Sequence, residues 1–181
     1  MQDYTISVFT ENQIGLMTRV VSVFTRRHIN IESLTVSQSS MKGIYRFTIV
    51  VIVSPEQVRK LVAQLDKQVD VLKAFYYETK EVIHQEVALY KVPTKVFANG
   101  GRMERLVRSH NARILDIEPE YTVIEKTGHQ EETEALLEEL RQFGIYEFVR
   151  SGRVAVVKPL EQLNTYLKTM EAKGHSNSDT A

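Results

Sequence analysis

The residues whose types and spacing could bind a small molecule lie around Gly15, between a predicted strand and a predicted helix. Apolar and polar residues alternate over residues 3–10, which is the period of a strand. The helix that follows has one apolar stripe, formed by Leu16, Val20, Val23 and Phe24. A glycine at the start of a helix lets a ligand approach the main chain, and the free amides there suit a carboxylate. The spacing therefore predicts a site for a small anion or zwitterion.

The same residues also allow a purely structural interpretation. Asn12 and Gly15 are common turn formers and could simply connect the strand to the helix. Asn30, just before the second predicted strand, could adopt a left-handed backbone conformation. The spacing alone favours neither interpretation over the other.

Patterns that would indicate catalysis or metal binding are missing from the sequence. The five histidines share no metal-ligand spacing, and there is no cysteine to act as a ligand or nucleophile. Gly100 and Gly101 resemble part of a phosphate loop, but the rest of that motif is absent. Asp66 and Asp70 are interpreted as solvated charges near a helix end. We therefore expect no catalytic residues and no metal site in this chain.

The first half of the chain has a clear order of elements. Strands are predicted at residues 3–10, 31–39, 44–53 and from Val69, with helices at 15–27 and from Pro55. Ser54 and Gln57 are spaced as a capping box, with proline at the first helical position. The order βαββαβ is that of a ferredoxin-like fold.

A second, weaker βαββαβ pattern follows a charged segment that we interpret as a linker. Its strands are predicted at residues 86–93, 112–117, 121–126 and 145–149, its helices at 102–109 and 130–143, and a strand extension at 153–157. The predicted fold class is therefore α+β, with two ferredoxin-like domains in tandem. The domains are residues 1–78 and 86–158, with a linker at 79–85 and a short helix and polar tail at 159–181.

The third strand is apolar on both faces. Alternate residues on one face are Tyr45, Phe47, Ile49, Val51 and Val53, and the other face carries Val50 and Ile52. In a ferredoxin-like unit both helices cover the same face of the sheet, so the other face needs a second layer. We expect this face to associate with another domain or another chain.

The composition argues against several classes of protein. The 23 basic and 23 acidic residues give a formal net charge of zero, whereas nucleic-acid binders usually have a basic surplus. Arg102, Arg105 and Arg108 are spaced as a solvated helix face. No signal peptide is visible, and the apolar run at residues 49–53 is too short to span a bilayer. Together with the lack of cysteine, this leads us to expect a cytoplasmic protein without a membrane partner.

Several longer motifs resemble a known family. They are Glu11-Asn12-x-x-Gly15, Arg19-Val20, Phe24, Asn30 to Val36, Val69 to Leu72, Glu86 to Leu89 and Arg150-Ser151-Gly152. The first part of the chain resembles an ACT domain, a small amino-acid-sensing module. The whole of residues 2–158 resembles the regulatory small subunit of acetolactate synthase, most weakly over residues 94–113.

The resemblance implies an effector site in the first domain. The matching positions are Asn12, Gly15, Leu16, Met17, Asn30 and Ile31, and the predicted site also includes Ile14 beside them. Main-chain amides from Gly15 to Met17 would take the effector's carboxylate, and the asparagine amides would pair with its charged groups. Ile14, Leu16 and Ile31 would form an apolar wall for a branched side chain. Ile14 departs from the family's usual turn, which affects which side chain fits.

The resemblance also implies partners and a role. The family's small subunit is not an enzyme; it activates a catalytic large subunit and confers feedback inhibition by valine, leucine or isoleucine. Its ACT domains form a homodimer with the effector at the seam. Thiamine diphosphate, magnesium and any FAD would belong to the large subunit. Two alternatives remain open, a free-standing amino-acid sensor for another enzyme or transporter, and a nucleic-acid binder that stacks bases on Tyr45, Phe47 and Tyr121.

Overall fold

A computed structural model describes residues 1–98 and 101–158 of the chain. It contains two units, each built on an antiparallel sheet with two helices on one face. The structure confirms the predicted α+β class and the order βαββαβ in both units. None of the helices in this described part of the chain is long and apolar enough to cross a lipid bilayer.

The first unit has four strands in the sheet order β2-β3-β1-β4. Its elements are β1 (Gln2–Glu11), α1 (Leu16–Thr25), β2 (Ser33–Gln38), β3 (Ile44–Val53), α2 (Pro55–Leu65) and β4 (Val71–Glu78). The capping box of α2 is confirmed, because Gln57 N–H donates to Ser54 Oγ at 3.2 Å and Ser54 N–H to Gln57 Oε1 at 2.9 Å. The prediction that β4 starts at Val69 was wrong by two residues, since Val71 N–H first closes a turn on the Gln68 carbonyl.

The second unit repeats this plan with one added strand. Its elements are β5 (Val82–Pro93), α3 (Arg102–Ser109), β6 (Arg113–Ile117), β7 (Tyr121–Gly128), α4 (Gln130–Arg141), β8 (Glu147–Arg150) and β9 (Val154–Val157). The sheet order is β6-β7-β5-β8, and β9 pairs with the first part of β5. Helix α4 ends two residues earlier than expected. The predicted helix and tail at residues 159–181 lie outside the described residues.

The segment expected to be a linker is structured. Residues Thr79–Glu81 form a 3-10 turn, and residues 82–85 are the start of β5, paired in register with β9. The charges of this segment suggested a solvated connection, but Val82 is buried against Tyr77 and Ala155. The two units therefore follow one another without a free connection.

The open face of the first sheet packs against the second unit, as its apolar residues led us to expect. Val50 is only 4% exposed although it faces away from α1 and α2. Arg153 crosses this face and donates from its guanidinium to both carboxylate oxygens of Asp3, at 2.8 and 2.9 Å, and to Thr5 Oγ1 at 3.0 Å. Its main-chain N–H donates to Ser33 Oγ at 2.8 Å. We call this contact the interdomain joint.

Gly152 brings the joint close to β2. A Cβ added at this glycine would lie 2.5 Å from Thr35 Oγ1 and 3.1 Å from the Leu34 carbonyl oxygen. No side chain fits there without movement of β2 or of the joint. The close approach explains why glycine occupies this position.

We expect Arg153→Ala to destabilise the protein by about 1–3 kcal/mol, because Asp3 loses hydrogen bonds from a buried cation. The midpoint of urea unfolding measures the change. Arg105→Ala is the control, since Arg105 is exposed on α3, and it should change stability by no more than about 0.5 kcal/mol. Equal midpoints for the two variants would show that the ion pair contributes no stability.

Candidate ligand-binding site

The loop between β1 and α1 places two free donors at the start of a helix. Gly15 occupies the N-cap position in the left-handed region, with φ 81° and ψ −2°, and no side chain caps the helix. The Leu16 N–H donates to the Gln13 carbonyl at 3.3 Å. Among the described residues, the N–H groups of Met17 and Thr18 donate to no acceptor. Two unsatisfied amides at the positive end of a helix can bind a carboxylate.

The space around Gly15 is open. No heavy atom lies within 4 Å of the position that a Cβ would occupy. Glycine is therefore needed here because of its positive φ and not because of crowding. A ligand can reach the main chain from solvent.

The loop is held by an ion pair from the helix below it. Arg19 Nη1 lies 2.7 Å from Asp70 Oδ2, and Arg19 Nη2 is 3.5 Å from the Ile14 carbonyl oxygen. The interpretation of Asp70 as a solvated charge was wrong, since its side chain is largely buried in this pair. Asp66 is also paired within the fold, because it accepts a hydrogen bond from the Ala74 N–H at 2.7 Å and forms an ion pair with Lys73.

The structure places most of the predicted site residues at the surface. Asn12, Met17 and Asn30 are exposed, and Ile14 is 102% exposed. Leu16 is the exception, because its side chain is 5% exposed and packs in the core under α1. The expectation that Leu16 contributes to an apolar wall was therefore wrong for its side chain, and only its main chain lies at the loop.

Asn30 and Ile31 do not meet the Gly15 loop within one chain. They follow the end of α1, whereas Gly15 precedes its beginning, and ten helical residues span about 15 Å. The strand registers agree, because the start of β2 pairs beside Val50 and Thr5, and the end of β1 lies beside Ile44. One small ligand cannot contact both groups in a single chain.

A histidine pair brings two more titratable groups together. His129 Nδ1 and His84 Nε2 lie 3.0 Å apart. Burial lowers the pKa of His84, with further lowering from the charges of Arg153 and His129. Within residues 1–98 and 101–158 no group of three or more His, Cys, Asp or Glu side chains is arranged to hold a metal ion. This pair could not be predicted from the sequence, because its members are far apart along the chain.

Comparison with known families divides the chain at the same place as the fold. Residues 6–73 match the family described as AHAS small subunit-like ACT domain. Residues 85–159 match the family described as small subunit of acetolactate synthase. The two matches cover one structural unit each.

Individual relatives match over most of their length. The acetolactate synthase small subunit of Bacillus subtilis is 34% identical over 170 residues, which are 91% of this chain and 96% of that protein. The corresponding protein of Mycolicibacterium smegmatis is 37% identical over 153 residues, 84% of this chain and 89% of its own length.

A solved structure has the same arrangement of both units. The crystal structure of the acetolactate synthase small subunit from Thermotoga maritima is 28% identical, has a TM-score of 0.80, and covers 88% of this chain and 99% of its own. The family matches, the relatives and this structure agree. The chain belongs to the family of acetolactate synthase small subunits.

Proposed function

We propose that this chain is the regulatory, non-catalytic subunit of an acetolactate synthase. It binds the catalytic large subunit, raises its activity, and makes it sensitive to a branched-chain amino acid, with valine as the first candidate and leucine or isoleucine as the others. Membership of the small-subunit family supports the role and the partner. The pair of free amides after Gly15 supports the amino-acid response. The end product of branched-chain amino-acid synthesis then controls its own formation.

Recognition of the amino acid divides between its two charged groups and its side chain. The Met17 and Thr18 amides take the carboxylate at the helix terminus. The amide oxygen of Asn30 accepts from the ammonium, since its Nδ2 already donates to Glu32 Oε1 at 2.9 Å. Ile14 and Ile31 provide the apolar contact for a branched side chain.

The separation of Gly15 from Asn30 supports a site shared by two chains. β2 is the edge strand of the first sheet. If β2 pairs antiparallel with its copy, the start of each β2 lies opposite the end of the other. Asn30 of one chain then approaches the Gly15 loop of its partner, which completes the site. We therefore include a homodimer in the proposal, because one chain does not hold both halves within reach of one ligand.

The exposed side of α1 supports the same pairing. Met17, Val21 and Thr25 line an open depression along the helix, next to the free amides. An apolar helix side beside an unpaired strand edge favours contact with a second chain. A ligand bound at the seam stabilises the dimer by mass action.

Inhibition requires that the amino acid bind one state of the enzyme complex more tightly than another. The large subunit carries the thiamine diphosphate, magnesium and any FAD, and this chain carries the effector. We place the complex in the cytoplasm. A sequence without cysteine has no disulfide that a reducing compartment would break.

Two other functions can be separated from this one. A free-standing amino-acid sensor would bind the amino acid and leave acetolactate synthase unchanged. A nucleic-acid binder would need aromatic side chains on an open sheet face. Phe47 is buried in the core under the helices, so it is unavailable for stacking.

We expect the purified chain to raise the rate of acetolactate formation by the large subunit, and valine to reverse the increase. Acetolactate production at a fixed large-subunit concentration, titrated with this chain, measures both effects. A chain that binds valine but leaves the rate unchanged over the titration would be a sensor for another enzyme.

We expect Gly15→Asp to weaken valine binding at least a hundredfold, because two like charges about 4 Å apart near a protein surface repel by up to ~4 kcal/mol. Gly15→Asn is the matched control, with the same size, a similar tolerance of the left-handed backbone and no charge. Isothermal titration of both variants gives the affinities. Similar affinities of the two variants for valine would show that the carboxylate of valine does not bind at this position.

We expect Asn30→Ala to weaken valine binding by about 1.5–3 kcal/mol, the contribution of a hydrogen bond to a charged group, and to leave the dimer intact. Titration gives the affinity and sedimentation velocity the oligomeric state. Lys67→Ala, at an exposed position outside the site, controls for non-specific effects. A monomeric Asn30→Ala protein would mean that this residue maintains the interface.

A further inference from the structure

The two units line an open-sided cavity of about 590 Å³ on the open face of the first sheet. The first unit contributes Asp3, Val50 and Ile52, and the second contributes Glu86, Phe148 and Arg150. Its size falls in the range of small-molecule sites, about 300–1,000 Å³. The Gly15 loop and α1 lie on the helical side of the same sheet, so this cavity and the Gly15 site are separate.

Glu86 carries a buried carboxylate and lines this cavity. Its side chain is 7% exposed, and no described residue donates a hydrogen bond to it. Its compensation is the charge of Arg150, whose Nε lies 3.3 Å from Glu86 Oε2 without hydrogen-bond geometry. A carboxylate has room for about four hydrogen bonds, and leaving them unmade in a buried position is costly. The cavity therefore has an acceptor that lacks a donor.

The charges around the cavity leave Glu86 under-compensated. Arg150 is shared, because its Nη1 donates to Glu134 Oε1 at 3.1 Å. Arg153 is already neutralised by its two hydrogen bonds to Asp3. A ligand that brings a cation to Glu86 would balance this deficit.

Arg150 also has unused capacity. Its Nη2 donates to no acceptor among the described residues. A free guanidinium N–H beside the cavity can donate to a carboxylate. Glu86 and Arg150 thus offer one acceptor and one donor, side by side, to a molecule with both charges.

The apolar part of the lining includes Val50, Ile52 and Phe148. Val50 and Ile52 lie on the same face of β3, two residues apart. An aliphatic or aromatic side chain can pack on them while its charged end faces Glu86 and Arg150.

We propose that this interdomain cavity binds an α-amino acid with an apolar side chain. Its ammonium donates to Glu86, its carboxylate accepts from Arg150, and its side chain packs on Val50, Ile52 and Phe148. The site goes beyond the effector site at Gly15 and lies within a single chain. It requires neither the dimer nor the large subunit.

The test is equilibrium dialysis of the full chain with radiolabelled L-valine, L-leucine, L-isoleucine, L-methionine and L-phenylalanine, each alone. Four proteins are compared: the unchanged chain, Gly15→Asp, Glu86→Gln and the double variant. We expect Gly15→Asp to retain saturable binding of at least one of these amino acids, and the double variant to bind it at least tenfold more weakly. No saturable binding to Gly15→Asp, or equal binding by Gly15→Asp and the double variant, would overturn the proposal.

The same four proteins separate this proposal from the effector site. If Gly15→Asp binds as the unchanged chain does and Glu86→Gln loses all binding, the cavity stands and the Gly15 site is wrong. If Glu86→Gln leaves binding unchanged, both alone and combined with Gly15→Asp, the proposed cavity site is wrong. Glu120→Gln removes an exposed carboxylate outside the cavity and should leave every affinity unchanged.

Two further measurements guard against a variant that fails to fold. Ile52 is half-exposed at the cavity, so Ile52→Trp should block the site by volume and leave Glu86 and Arg150 in place. In the Gly15→Asp background, 3-methylbutylamine and 4-methylpentanoate each lack one charge of leucine. Both should compete at least tenfold less well than leucine. Full competition by either compound, or undiminished binding to Ile52→Trp, would contradict the proposed recognition.

Discussion

The open face of the first sheet is the constraint on which the rest of the architecture depends. Both helices of this unit pack on the other face, so Val50, Thr5 and Tyr77 need cover from elsewhere. The cover comes from the second unit, through Arg153 and the β9 strand. Arg153 is the central contact because it joins β1 by its side chain and β2 by its main chain. The orientation of the second unit, and the cavity between the units, follow from this contact.

The two units resemble each other more in their unusual backbone conformations than in their sequences. Gly15 and Gly101 both begin the first helix of their unit in the left-handed region, with φ of 81° and 69°. His28 and Asn111 both follow that helix with positive φ, at 52° and 50°. Such positions determine where a helix starts and how the chain leaves it. The duplicated fold therefore rests on a few special backbone angles and a shared apolar pattern.

Much of the fold could be predicted from the sequence because its signals are local. The capping box of α2, the apolar stripe of α1 and the alternation of β3 each depend on neighbours within a few residues. Wrong predictions arose where a distant partner changes the meaning of a charge. Asp70 was interpreted as solvated, but Arg19 lies against it across the fold. The charged segment at residues 79–85 was interpreted as a linker, but β9 pairs with its final residues from about seventy positions away.

The candidate sites also combine features that could be predicted from the sequence with features that could not. The glycine turn and the free amides were predictable, since both follow from where α1 begins. The burial of Leu16 was also predictable, because this residue belongs to the apolar stripe of α1 that packs on the sheet. One side chain cannot both fill the core and face a ligand. Glu86 was not predictable as an acceptor, since its isolation depends on how two units enclose it.

The position of β2 connects the two halves of the protein mechanically. Asn30 and Ile31 lead directly into β2, and the other side of this short strand contacts Gly152 and Arg153. This contact leaves little room for movement, because Gly152 already lies against Thr35 and the Leu34 carbonyl. A ligand that repositions the start of β2 must therefore also displace the joint or strain it. Under the proposed function this coupling is reciprocal: if the amino acid changes the affinity of a partner that orients the second unit, the partner changes the affinity for the amino acid by the same factor.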